Sequence, residues 1–202
     1  MPRRKPAPQA SSFLRREIAA MAARLMAEDG ITDYGQAKRK AARALGALEA
    51  EVLPTNDEIE QELRAYQALY QAEEQPARLY ELRQVALAAM QLLAEFRPCL
   101  TGPVLDGTAG RYAEVDLELF ADSGKDVEIF LLGHGIPYEA AEPRRSGPDG
   151  PEALLQLERD GIVVNLAVYP LAAERQNRRS PWTGRTPARA RAEAVAALLA
   201  SG

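Results

Sequence analysis

The sequence is 202 residues long, with 47% apolar, 27% charged and 6% aromatic residues and a net charge of −4. This composition excludes collagen-like and wholly disordered chains, and no apolar run reaches the roughly 18 residues that a membrane helix needs. The single cysteine, Cys99, excludes an intrachain disulfide and a cysteine-rich zinc site and fits a reducing compartment, the cytoplasm.

Charge is unevenly spread. Residues 1–46 hold ten Lys/Arg against four Asp/Glu, a local charge of +6, which leaves −10 for the rest of the chain. Such asymmetry marks either a nucleic-acid contact at the basic end or a solvated helix face. Phe13 and Leu14 are followed at once by Arg15, Arg16 and Glu17, so no secretory apolar core is expected.

Residues 1–10, with three prolines and three basic residues, read as a disordered tail ahead of a helical N-terminal region over 11–75. From Ser12, Leu14, Ile18, Met21 and Leu25 recur at helical spacing until Gly30. A second helix is predicted from about Asp33 to Leu45, with Tyr34, Ala37 and Ala41 inward, Lys38, Arg39 and Lys40 partly outward and Gly46 as its C-terminal cap. After Pro54, Thr55 and Glu58 have capping-box spacing, and Ile59, Leu63, Tyr66 and Tyr70 mark the inward face of a third helix. Pro76 opens a long helix with a wide apolar stripe, from Leu79 to Phe96, which Pro98 ends.

Beyond Pro98 the period becomes strand-like. In Val115-Asp116-Leu117-Glu118-Leu119-Phe120 the apolar and acidic residues alternate, placing Asp116 and Glu118 on one face and Val115, Leu117 and Leu119 on the other. Ser123 and Asp126 can cap a short helix carrying Val127, Phe130 and Leu131, which ends at Gly133 and Gly135 beside His134. His134 is read as a capping or packing residue and Cys99 as a small buried hydrophobe. Residues 143–151 read as a loop. Asp160-Gly161 between two alternating runs is a two-residue hairpin signal whose register pairs Arg159 with Ile162, Glu158 with Val163 and Gln156 with Asn165. Residues 171–202 read as an Arg-rich loop, with Arg175, Arg178, Arg179, Trp182 and Arg185, followed by a helix from about Pro187 to Ala200.

Two carboxylates two residues apart on a strand lie about 7 Å apart at the backbone on one face, where they can jointly hold a hard cation such as Mg²⁺. The same pattern also fits a solvated sheet face. On either reading Asp116 is not a core group, and Asp116→Asn is expected to leave stability nearly unchanged.

The order of long helix, Leu100-Thr101-Gly102, a turn segment over Val104 to Gly110 and an acidic strand resembles the nucleotidyltransferase domain of the DNA polymerase beta superfamily. The motif is hydrophobic-Gly-(Gly/Ser), a spacer, then Asp-hydrophobic-(Asp/Glu)-hydrophobic, met here by Gly102-Pro103, twelve residues, and Asp116-Leu117-Glu118-Leu119. The resemblance covers about residues 77–170. It implies an α+β fold, N-terminal helices plus a small mixed sheet, with the nucleotidyltransferase-like core over 76–170. It also implies Asp116 and Glu118 as catalytic carboxylates binding Mg²⁺, Gly102 at the nucleotide, where the nearby Thr108 of this chain offers a hydroxyl in place of the donor lost at Pro103, and transfer of a nucleotide from a nucleoside triphosphate to a hydroxyl acceptor.

Two positions depart from the pattern. The third acidic position is Asn165, a poorer Mg²⁺ ligand that cannot act as the base, although Glu158, one diagonal step away, offers a replacement charge. Pro103 stands where the family has Gly or Ser, which removes a donor to the triphosphate. The alternative reading is therefore a catalytically degenerate module that binds or regulates through its helical N-terminus. The segments Ala37 to Gly46, Gly102 to Ala109 and His134 to Glu139 are also similar to a group of small bacterial proteins, some of which carry a UDP-N-acetylmuramate-alanine ligase name; no Gly-Lys-Ser/Thr phosphate loop is present to support that name. Nucleic-acid contact through the basic N- and C-terminal segments would be salt-dependent and sequence-independent, with little aromatic stacking to support it.

Overall fold

The computed structural model describes residues 8–47, 53–141, 150–176 and 188–201. The chain is α+β, with seven helices and one five-stranded mixed sheet among the described residues. It divides into two compact units, residues 1–75 and 76–202. The proposed tail over residues 1–7, nearly all of the 143–151 loop, and Arg178, Arg179, Trp182, Arg185 and Pro187 lie outside the described residues.

The first unit is built from α1 (Pro8–Asp29), α2 (Tyr34–Ala44) and α3 (Asn56–Tyr70), with α1 packed on both others. Residues 8–10 are helical rather than part of a tail, since proline is well suited to open a helix. The buried face of α1 is Ile18, Ala19, Ala22, Ala23 and Ala27, while Leu14, Met21 and Leu25 are only partly buried. The α2 terminus closes as a Schellman motif, with the Gly46 N–H donating to Arg43 O, the Ala47 N–H to Ala42 O and Gly46 at φ +69°. The capping box at the start of α3 forms, with Glu58 bonded to Thr55 in both directions. Ile59 and Leu63 are buried, but Tyr70 is exposed, its ring tilted against that of Tyr66 with the centres 4.7 Å apart, while Gln67 is buried instead.

In the second unit α4 (Glu74–Leu92) precedes β1 (Cys99–Thr101), a short α5 (Gly102–Asp106), β2 (Val115–Ala121), α6 (Gly124–Gly133), β3 (Glu139–Ala141), β4 (Ala153–Arg159), β5 (Ile162–Pro170) and α7 (Ala192–Ala200). The sheet order is β1-β2-β5-β4-β3; β2 and β5 run parallel and the other pairs antiparallel. The turn segment after Gly102 thus begins as a helix, closed by Gly107 in the left-handed region at φ +80°. The C-terminal helix starts at Ala192, because Ala190 is bridged to Leu100 at the outer edge of β1, with N–H···O distances of 2.9 and 3.0 Å.

The sheet has two unlike faces. Val115, Leu117 and Leu119 join Leu155, Leu157, Val164, Leu166 and Val168 beneath Leu82, Ala86, Ala89 and Leu93 of α4, forming the main core. On the opposite face Phe120, Ala167 and Tyr169 pack with Cys99, Leu154 and Ala173 as a smaller cluster. Asp116, Glu118 and Asn165 lie on this second face, and all seven residues of β2 are buried. The hairpin at Asp160-Gly161 has both residues at positive φ, 54° and 73°, and the expected register.

Candidate functional site

The acidic corner begins with strand register. Asp116 is opposite Thr101 on β1 and Asn165 on β5, so the end of β1, the start of α5 and the two parallel strands converge on one carboxylate. Gly102 turns the chain there at φ +72°, and a β-carbon on it would stand 2.8 Å from Asp116 Oδ2. The Thr101 hydroxyl donates to the Asp116 carbonyl at 3.3 Å.

Asn165 organises the remaining polar atoms. Its Nδ2 donates to Asp116 Oδ1 at 2.9 Å and to Glu114 Oε2 at 2.8 Å, and its Oδ1 accepts from Gln156 Nε2 at 2.7 Å. An amide does here what a third carboxylate could not: it supplies two N–H donors to two neighbouring carboxylates. Asp116 is 8% exposed, and burial pushes its carboxyl up to about 7, opposed by the bond from Asn165 and reinforced by the negative charge of Glu114. Glu114 is exposed at the rim.

Glu118, one step further along the same face, has a different partner. It is 1% exposed, and Arg189 Nε lies 2.6 Å from its Oε2. The Arg189 guanidinium sits 5.4 Å from the centre of the Phe120 ring and donates through Nη1 to the carbonyls of Glu174 and Gln176. The next basic residue, Arg191, bonds Glu174 and the carbonyls of Arg97 and Pro98.

Of the residues singled out by the sequence, Gly102, Asp116 and Asn165 are brought together. Thr108 is buried, its N–H donating to Pro103 O at 3.0 Å in the turn that closes α5. Glu158 is exposed and opposite Val163; Gln156, not Glu158, is the β4 side chain that reaches Asn165. His134 caps α6, its Nδ1–H donating to Phe130 O at 2.8 Å and its ring stacked on Phe130. Cys99 is buried, and burial raises its thiol pKa. In the basic N-terminal segment Lys38 donates to Pro54 O and Asn56, and Lys40 pairs with Asp29.

Two partners, Glu114 and Arg189, were not singled out from the sequence. Glu114 carried a signal, since Glu114-Val115-Asp116 extends the alternation by one step, and the hairpin register already set Gln156 opposite Asn165. Arg189 carried none, because its contact with Glu118 joins positions 71 residues apart.

The donor set does not fit a two-metal centre as arranged. Asp116 and Glu114 accept from an amide, Glu118 is held by a guanidinium, and no group of three or more His, Cys, Asp or Glu able to hold a metal ion occurs among the described residues. No helix among the described residues is long and apolar enough to cross a membrane. No protein-family model, curated protein or solved structure matches this chain.

Proposed function

We propose that this chain is a nucleotidyltransferase-like binding or regulatory module that does not transfer nucleotides. The observation that carries the reading is the ion pair of Glu118 with Arg189 at 2.6 Å. Two-metal phosphoryl chemistry needs carboxylates that are open to the ions clamping the triphosphate. At the second acidic position of the motif a guanidinium already occupies the carboxylate. At the third, Asn165 spends both N–H donors on its neighbours and has no basic atom to take a proton from an acceptor hydroxyl. Pro103 removes one backbone donor from the phosphate side. The helical unit, residues 1–75, is then the part that engages a partner, in the reducing cytoplasm that an unpaired, buried Cys99 tolerates.

A second reading, Mg²⁺-dependent transfer to a hydroxyl acceptor, is favoured by Asp116 and Glu114, two carboxylates gathered at one amide. Mixing the protein with each nucleoside triphosphate, Mg²⁺ and hydroxyl acceptors of three kinds, an RNA 3′ end, a protein and a small polyol, and measuring released pyrophosphate separates the two. The module reading expects no release, and calorimetric heats for nucleotides that depend neither on Mg²⁺ nor on Asp116. Release that disappears in Asp116→Asn would establish the transferase instead.

A further inference from the structure

We infer that Arg189 is the resident cation of the acidic sheet face: it supplies at Glu118 the positive charge that a divalent metal supplies in an active two-metal site, and so keeps metal out. The comparison with a metal site rests on the nucleotidyltransferase-like reading, while the contact itself does not.

Glu118 is 1% exposed, and a carboxylate taken out of water must be neutralised or paired. Arg189 is held for that task from several sides. Its side chain is 17% exposed, its guanidinium lies over Phe120, and its Nη1 donates to two main-chain carbonyls, at 3.1 Å to Glu174 and 2.9 Å to Gln176. A planar fork of five N–H donors can face an anion, an aromatic ring and carbonyls together, which a lysine ammonium cannot do.

The backbone fixes it further. Ala190 is bonded to Leu100 in both directions, Arg191 is tied to Glu174 on the other side, and Val195 of α7 is fully buried in the main core. A divalent ion within ligand distance of Glu118 would meet this guanidinium a few ångströms away in a poorly solvated site, where repulsion between like charges is strong. Sequence position hides the pairing; the Leu100–Ala190 bridge creates it by laying the segment before α7 along the edge of β1.

Mn²⁺ binding, followed by calorimetry and by loss of the free-ion paramagnetic signal, tests the inference on the full chain and on Arg189→Gln, Glu118→Gln and the double variant. We expect that Glu118→Gln changes nothing in the Mn²⁺ titration of the wild type. Arg189→Gln should gain a site at least about ten-fold tighter, which the added Glu118→Gln removes. Thermal unfolding of the same four proteins should show strong coupling, with the double variant more stable than Arg189→Gln alone; an unfolded Arg189→Gln beside a folded double variant supports the inference in the same way. Mn²⁺ bound by the wild type and lost in Glu118→Gln would overturn it. A folded Arg189→Gln with no gain in Mn²⁺ binding would also overturn it, as would failure of both Arg189→Gln and the double variant to fold, because the guanidinium would then matter for packing and not for charge. Pyrophosphate release that survives Glu118→Gln would sink the module reading above while leaving this inference standing.

Discussion

Gly102 and Asp116 meet so closely that a single methyl group on Gly102 would stand 2.8 Å from Asp116 Oδ2. The glycine is needed twice, for its φ of +72° and for the space the carboxylate takes. Gly46 has nearly the same backbone, φ +69°, but a β-carbon there would meet nothing within 4 Å. Gly46→Ala should therefore cost about 1 kcal/mol from backbone strain alone, and Gly102→Ala about 2–4 kcal/mol once overpacking is added. Urea denaturation of both variants checks this, and equal losses would show that the Asp116 contact has no energetic weight.

Asp116 makes stability depend on pH in an unusual direction for a carboxylate. Its carboxyl is held up to about 7 in the folded chain against an ordinary 3.8. Between those values the folded state keeps a proton that the unfolded state has lost, so this group's contribution falls as pH rises through the window and levels off above about 7. Asp116→Asn removes the slope and keeps an acceptor for Asn165. It should be roughly 2–4 kcal/mol more stable than the wild type at pH 8 and little different at pH 4, measured by denaturant titration across pH. Asp116 is buried, both faces of β2 being covered, so the premise that it is not a core group does not hold.

Asn165→Asp tests why an amide stands at the third acidic position. The substitution deletes the two donors that reach Asp116 and Glu114 and adds a negative charge beside theirs. A loss of about 3–5 kcal/mol is expected at pH 8, the scale of an uncompensated buried charge. The loss should shrink toward pH 5 as carboxyls protonate. A variant as stable as the wild type at pH 8 would mean that the corner is open to solvent.

In the helical unit Glu58 closes the capping box with Thr55 and is also bridged by Arg15, with Nη2 2.7 Å from its Oε2. Arg15 holds its carboxyl down at about 2, with Thr55 adding to the effect. Its stabilising contribution is present above the ordinary carboxylate range and is lost as pH falls toward 2. The carboxylate is 41% exposed, so solvent screens the ion pair and only the loss of the cap is counted in the expected change. Glu58→Ala should cost about 1 kcal/mol at neutral pH and nothing near pH 2, read by the midpoint of helix loss in circular dichroism.

Much of the fold was legible in the sequence because it is encoded over short spans. Thr55 with Glu58, Ser123 with Asp126, Asp160 with Gly161 and the alternation from Val115 to Phe120 each combine residues within a single turn or strand, where backbone chemistry alone sets the outcome. The pairing of Gln156 with Asn165 follows from those local signals, while the α+β class is what the family resemblance implied. Side-chain environment did not follow. Alternation in β2 separates its two faces but does not tell that the acidic face is covered, and helical spacing in α1 does not tell that Ile18 and four alanines are buried while Leu14, Met21 and Leu25 are only partly so.

The sequence by itself determined which carboxylates share a face; only the tertiary structure decided what each of them meets. Asp116 received Asn165 and Gly102 through the parallel register of β2 with β5 and the antiparallel register with β1. Glu118 received Arg189 because the bridge between Leu100 and Ala190 carries a distant segment to the sheet edge. Such pairings arise from long-range packing, and a buried charge takes its character from the partner that packing delivers.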